Sequence, residues 1–402
     1  MIPEAVIKTL SRSTPSKIVL LVMDGVGDLR REGETPLEAA STPNFDRLAR
    51  ESSLGLTDPI SPGITPGSGP AHISLFGYDP IRYQIGRGVL EATGIEMKLG
   101  PADVAARGNF ASMDAEGKLT DRRAGRIPTA ENERLIRKLS EAIREIDGIE
   151  VILRTVKEHR FVAVFRGKGL DGRVADTDPQ ILGRRSLDPE PLAPEAALTA
   201  ETARKFIERM NEALKDEHPA NTGLLRGFAS LPHIPSMEEL FKLTPACIAV
   251  YPMYRGLAGL VGMELLAVEG ETPADEFEVL RRNWGRFDFF FIHVKKTDSY
   301  GEDGNFDNKV KVIEEVDRAL PLILELKPDV IAVTGDHSTP CPLAAHSWHP
   351  NPFLLRSEYI RGDRGERFTE AECARGVLGR FPAREALPLL LANALKLEKF
   401  GA

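Results

Sequence analysis

The stretch Ile18-Val19-Leu20-Leu21-Val22-Met23-Asp24-Gly25 decides how this chain is read. Its apolar run has the length of a strand and lacks the alternation of a half-exposed one, which predicts a parallel strand covered on both faces. The run ends in a carboxylate and a glycine, at the strand end where α/β sheets carry their ligand sites. Two later stretches repeat the pattern. Phe287 to Val294 (FDFFFIHV) leads into Lys295-Lys296-Thr297-Asp298, and Val330-Ile331-Ala332-Val333-Thr334 leads into Gly335-Asp336-His337. Between them Val310, Ile313, Val316, Leu320 and Ile323 recur every three or four residues, the spacing of an amphipathic crossover helix. The expected fold class is α/β, a mainly parallel sheet with helices on both faces.

Outward from these strands, Thr42-Pro43 reads as a capping hydroxyl followed by proline at the first helical position. Residues 59–70, rich in Gly and Pro, read as loop, and His72 to Phe76 resumes a packed element. The middle of the chain carries βαβ-like material of its own. Leu135, Leu139, Ile143 and Ile146 line one helix face, and Val151–Leu153 and Phe161–Phe165 look like strands. A connector with Pro189, Pro191 and Pro194 precedes a helix bearing Phe206, Ile207, Met210 and Leu214. The expected organisation is a discontinuous core, residues 1–104 and 226–402, interrupted by a smaller α/β domain, residues 105–225. No internal repeat or low-complexity tract is visible.

A chain of 402 residues has room for two or three units, and 42% hydrophobic with 28% charged residues describes a soluble folded protein. The balance of 52 basic to 60 acidic residues, a net charge of -8, argues against a nucleic-acid partner but permits a local basic pocket for a small anion. Three cysteines, Cys247, Cys341 and Cys373, are too few and scattered for a disulfide framework or a CxxC metal knot. Residues 1–16 show no apolar leader, and Ile18–Met23 is far too short to span a bilayer. A cytoplasmic protein with no membrane partner is expected.

Asp24, Asp298, Glu302, Asp336, His337, His346 and His349 follow strands or sit in Gly/Pro-rich loops. Mixed carboxylate and imidazole donors suit Mn²⁺, Zn²⁺, Co²⁺ or Mg²⁺. Any one aspartate after a strand could simply cap the next helix. Caps do not explain Asp336-His337 with two further histidines. In Thr65-Pro66-Gly67-Ser68-Gly69-Pro70-Ala71-His72 a serine stands between two glycines, free of crowding; a dication would help deprotonate it. Taken alone, that loop reads more readily as a flexible turn with a solvated serine.

Together these residues resemble the alkaline phosphatase superfamily, and within it the archaeal-type 2,3-bisphosphoglycerate-independent phosphoglycerate mutases. The strings that carry the likeness are GITPGSGPAHISLFGYDP, ARGNF, DRRAGRI, KEHRF, HVKKTDSYGEDGNFDNKV and TGDHSTPC, spread over nearly the whole chain. The resemblance implies an isomerase of glycolysis and gluconeogenesis that interconverts 3-phosphoglycerate and 2-phosphoglycerate without added bisphosphate. It implies that Ser68 becomes phosphoserine, that Asp24, Ser68, Asp336 and His337 hold one divalent metal, and that Asp298, Glu302 and His346 hold the other. His349 is the second choice for the last ligand. Many relatives have His where this chain has Glu302; the added hard oxygen favours Mn²⁺ or Mg²⁺, with Zn²⁺ or Co²⁺ possible.

The inserted domain is then expected to act as a lid. Asp121, Arg122, Arg126, His159, Arg160 and Arg226 are its candidate substrate contacts, because a guanidinium fork matches carboxylate and phosphate. Arg123 and Arg255 are weaker candidates, and His218, His233, Trp284 and Trp348 are expected to be structural. The expected partner is phosphoglycerate itself, with oligomeric state left open. The competing readings are another phosphotransferase or phosphatase on the same metal core, phosphopentomutase-like or homoserine kinase-like, and a catalytically dead binding protein. The DRRAGR and HR groups argue against the first. The complete Asp24, Ser68, Asp298, Asp336 and His337 set argues against the last.

Overall fold

The computed structural model describes residues 3–362 and 365–401. Two compact units divide the chain, one formed by Met1–Gln84 with Ile234–Ala402 and the other by Ile85–His233. The first contains an eight-stranded sheet in the order Glu264–Leu266, Pro245–Ala249, Phe289–Val294, Ile18–Met23, Val330–Thr334, Asn351–Ser357, Ser53–Asp58, Gly379–Pro382. Ile18–Met23 lies at its centre, every residue fully buried, as its unbroken apolar run requires. It pairs in parallel with both neighbours, Met23 opposite Val294 and Val22 opposite Thr334. The three chains therefore leave the sheet at one edge, which brings Asp24, Asp298 and Asp336 together. Asn351–Ser357 runs antiparallel to both its neighbours, so the sheet is mainly, not wholly, parallel.

The crossover helix runs Phe306–Ala319 and restarts at Pro321 as Pro321–Leu324. Ile313, Val316, Leu320 and Ile323 bury against a sheet face built from Val19, Leu21, Phe290, Ile292, Ile331 and Val333. Each such side chain contributes about 1.5–3 kcal/mol of transfer free energy. Among the described residues no helix is long and apolar enough to cross a membrane, and all three cysteines are buried.

Local details correct the sequence reading. Thr42 precedes the helix Pro43–Arg50, but its hydroxyl donates to Asp46 Oδ1 at 3.3 Å instead of capping the helix amides. Residues 68–70 are not loop. Gly67 is the N-cap, Ser68 is the first residue of the helix Ser68–Leu75, and Pro70 falls in its first turn, where a missing N–H costs nothing.

The second unit is not βαβ-like. Its sheet pairs antiparallel throughout, in the order Leu119–Asp121, Asp103–Met113, Arg160–Arg166, Ile149–Lys157, Glu145–Ile146, with Thr222–Ser230 also on Asp103–Met113. Ile149–Lys157 and Arg160–Arg166 form a hairpin through Glu158, whose φ of 52° is left-handed. The helix Thr129–Ala142 ends before Ile143, and Ile146 belongs to a strand. The expected boundaries 105–225 cut through Asp103–Met113 and Thr222–Ser230 and omit the helix Arg87–Gly94. That helix packs so closely on the sheet that a Cβ at Gly88 would lie 2.1 Å from the Ala105 carbonyl oxygen.

Candidate active site

At the edge of the large sheet two donor sets converge. Asp24, Asp336 and His337 turn ligand atoms toward one another, all within 4.8 Å, and Asp298, His337 and His346 do the same. Asp24 follows the central strand; Asp336 and His337 follow its neighbour; Asp298 sits in the first turn of the helix Lys296–Glu302. His346 returns to the site because Ser347 pairs with Ser338 in an antiparallel bridge. Ser68 Oγ, at the start of its helix, lies 3.1 Å from His337 Nε2.

Hydrogen bonds fix which ring nitrogens face the centre. Thr339 Oγ1 donates to Asp298 Oδ1, so at 3.0 Å it accepts from His337 Nδ1–H. His337 Nε2 is left with its lone pair, 3.3 Å from Asp24 Oδ1 and 3.2 Å from Asp336 Oδ2. His346 Nδ1–H donates to the Pro66 carbonyl at 3.0 Å, leaving Nε2 3.6 Å from Asp298 Oδ1. Asp24 Oδ1 and Asp336 Oδ2 are buried without a hydrogen-bond partner among the described residues. Acceptor facing acceptor in a buried site is costly unless a cation lies between them. The donors, their tautomers and their second hydrogen bonds all fit divalent metals.

The electrostatics agree. Burial, then the charge of Asp24, raises the Asp336 carboxyl well above the ordinary carboxylate range. Burial also opposes ionisation of Asp24, yet Lys295, His293 and His337 together hold it well below that range. Burial pushes His337 down to about 4 and His72 down to about 3, so both rings are neutral.

Glu302 stands at the rim, about half exposed, with Oε1 3.6 Å from His346 Nε2. His349 turns away, Nδ1 3.0 Å from Ser347 Oγ and its ring stacked on Trp348. Trp348 is itself half exposed, whereas Trp284, partly buried, stacks on Phe290 against the core. The sequence did not single out several residues around the metal donors. Lys295 Nζ donates to Asp24 Oδ2 at 3.0 Å and to Asp298 Oδ2, and Tyr254 donates its hydroxyl to Asp24. His293 lies 3.3 Å from Asp24 Oδ2 with its ring stacked on Tyr254. Arg255 instead donates to the Leu266 carbonyl at 2.8 Å.

In the second unit, Arg107, Asn109, Arg160 and Arg226 share one sheet face, since Arg107 pairs with Arg226 and Asn109 with Arg160. Arg107 Nε, Arg160 Nε, Asn109 Oδ1 and His159 Nδ1 are buried with no partner among the described residues. Burial lowers the Arg107 pKa, and Arg160, Arg87 and Arg226 add to the effect against Glu91, 3.4 Å away. Burial and Arg160 push His159 down to about 4. Guanidinium groups crowded on one face, two of them with an unpartnered Nε, suit an anion.

The other expected contacts behave differently. Arg122 grips the buried Asp178 with two prongs, Nε donating to Oδ1 and Nη2 to Oδ2 at 2.7 Å each. Arg226 donates to Asp176 at 3.3 Å and to Asp178 at 3.4 Å. Asp121 accepts the Arg123 and Gly125 amides at 2.7 Å each and so shapes the turn that carries exposed Arg126. Arg107 and Arg87 were not singled out by the sequence, although Arg107 lies in the quoted ARGNF string.

The sequence profile of 2,3-bisphosphoglycerate-independent phosphoglycerate mutase matches residues 49–221. A probable enzyme of that name from Thermus thermophilus is 56% identical over 401 residues, 99% of each chain. One from Aquifex aeolicus is 54% identical over 99% of this chain and 100% of its own. The solved cofactor-independent phosphoglycerate mutase of Thermoplasma acidophilum superposes with a TM-score of 0.75 at 31% identity, covering 94% of this chain and 100% of its own. A Pyrococcus horikoshii protein of known structure gives 0.83 at 30% identity, covering 96% and 99%. The chain belongs to the family of 2,3-bisphosphoglycerate-independent phosphoglycerate mutases and is an isomerase.

Proposed function

We propose that this isomerase interconverts 3-phosphoglycerate and 2-phosphoglycerate through a phosphoserine on Ser68, with two divalent metals, Mn²⁺ or Mg²⁺ before Zn²⁺ or Co²⁺. The observation that carries the proposal is the meeting of Ser68 Oγ, His337 Nε2 and the unpartnered oxygens of Asp24 and Asp336. Divalent cations, when bound there, supply charge neutralisation of the phosphoryl oxygens and activation of the serine hydroxyl.

The chain's own residues do the rest. Ser68 heads a helix of eight residues, so the positive end of the helix dipole favours the charge that gathers on its oxygen. As the Ser68 Oγ–P bond forms, the bond from phosphorus to the C3 oxygen breaks, and that oxygen leaves with the proton Ser68 gives up. The C2 hydroxyl then takes the phosphoryl group and returns a proton to Ser68. Lys295 holds Asp24 and Asp298 in place. Arg107, Arg160 and Arg226 on the second unit's sheet are proposed to bind the substrate's carboxylate or phosphate, and Arg126 and His159 remain candidate contacts. Glu302 is proposed as a ligand beside His346. A cytoplasmic location is part of the same reading.

The test is a coupled assay in which enolase consumes 2-phosphoglycerate, with Mn²⁺ supplied and 2,3-bisphosphoglycerate absent. Turnover under these conditions supports the proposal. Turnover only after bisphosphate is added overturns it.

A further inference from the structure

Lys309 lies in the helix Phe306–Ala319 and is fully buried. Its ammonium has three donors and meets three acceptors: the Gly25 carbonyl at 2.8 Å, the Thr339 carbonyl at 2.9 Å and Asp28 Oδ2 at 2.8 Å. Asp28 is itself fastened, its Oδ1 accepting the Leu29 amide at 2.8 Å and the Cys341 amide at 3.0 Å. A buried ion pair of this kind is poor value as a stabilising device, because matched apolar side chains commonly do as well. Its charge at this position needs another explanation.

The explanation lies in what the two carbonyls are attached to. Gly25 follows Asp24, and its own N–H donates to Asp336 Oδ1 at 3.1 Å. Thr339 follows His337 by two residues; its hydroxyl donates to Asp298 Oδ1 and meets His337 Nδ1. The two residues are also tied directly, since the Thr339 amide donates to the Gly25 and Gly27 carbonyls at 3.3 and 3.0 Å. One ammonium thus reaches Asp24, Asp336, Asp298 and His337 through a single intervening residue each. The turn leaves no slack. Gly25 is left-handed with φ 61°, and a Cβ there would lie 2.7 Å from Asp298 Oδ1.

We propose that Lys309, neutralised by Asp28, is a positioning residue that holds the loop after Asp24 and the loop after His337 in register for divalent cations. The proposal rests on the two-metal reading given above. Lys309 touches none of the metal donors and makes its contribution through Gly25 and Thr339.

Lys309→Met alone would strand the Asp28 charge, so the informative variant is Asp28→Asn with Lys309→Met, which removes both charges. Asp28→Asn with Lys309→Gln, which keeps one side-chain donor pair, is run in parallel. Each is compared with the wild-type chain for thermal melting in excess chelator and for Mn²⁺ binding, read from the electron paramagnetic resonance signal of free Mn²⁺. The wild type should take up two Mn²⁺ ions. The Met variant should melt within a few degrees of it when metal-free, yet bind Mn²⁺ about 10–100-fold more weakly, the usual effect of removing a group that orients metal ligands. The Gln variant should fall between. Wild-type affinity in the folded Met variant would overturn the positioning role. So would failure of both variants to fold, because the pair would then serve folding itself. A wild-type chain that binds no Mn²⁺ would instead remove the two-metal reading, and this proposal with it.

Discussion

Ser68 Oγ lies 3.1 Å from His337 Nε2, and the same nitrogen lies 3.2 Å from Asp336 Oδ2. A serine oxygen, an imidazole lone pair and an unpartnered carboxylate oxygen therefore share one buried space. That relationship ties the proposed nucleophile to the proposed metal site and sets the first prediction. Exhaustive chelation should abolish turnover and lower the melting temperature, and excess Mn²⁺ should restore both, since a ligand bound only to the folded state stabilises it. Turnover that survives chelation would contradict the account.

Arg122 and Arg160 should fail in different ways. Arg122 closes a two-pronged ion pair on buried Asp178, so Arg122→Ala leaves that carboxylate with only the Gln180 amide and the longer Arg226 contact and should cost about 1–3 kcal/mol of stability. Arg160 has a buried Nε without a partner, so Arg160→Ala should leave stability nearly unchanged and raise KM for phosphoglycerate about tenfold or more. Urea denaturation and steady-state kinetics on the two variants separate the effects. The reverse pattern would exchange their roles.

The large sheet was legible because its information is local. An unbroken apolar run that ends in aspartate is readable at Asp24, directly after the strand, and at Asp336, after Thr334-Gly335, and the register of parallel neighbours brings those ends together. The residues around the donors were not legible for the opposite reason. Tyr254 meets Asp24 across 230 positions, and Lys309 meets Gly25 across 284. Lys295 stands three residues before Asp298, but no pattern separates it from Lys296. The antiparallel second sheet escaped because its hairpin turns at Glu158-His159, which lacks the glycine or asparagine that usually marks such a turn.

Glu302 and His349 remain rivals for one ligand position, and metal content decides between them. With Glu302 Oε1 3.6 Å from His346 Nε2, and His349 Nδ1 engaged by Ser347, Glu302→Ala should lose one metal per chain by elemental analysis. His349→Ala should lose none. The opposite pattern would assign the site to His349.

Glu370 predicts a pH dependence of stability. Its carboxyl accepts the Asp28 amide at 3.1 Å and the Thr35 hydroxyl at 2.8 Å, and burial raises its pKa from 4.5 to about 7. A carboxyl whose folded-state pKa is raised keeps a proton that the unfolded chain releases. Its contribution is full below the unfolded value and is lost as pH rises through the folded one. Between pH 5 and 8 the wild type should therefore lose stability relative to Glu370→Gln, measured by urea midpoints. Parallel pH profiles would contradict the assignment.

The central claim is that Ser68 carries the phosphoryl group. The direct measurement is peptide mass spectrometry of the chain quenched during turnover of 3-phosphoglycerate with Mn²⁺, set beside the rate of Ser68→Ala. The account predicts phosphate on the peptide containing Ser68 and a variant that folds but turns over at less than about a hundredth of the wild-type rate. An unmodified Ser68 together with a variant that retains substantial mutase activity would contradict it.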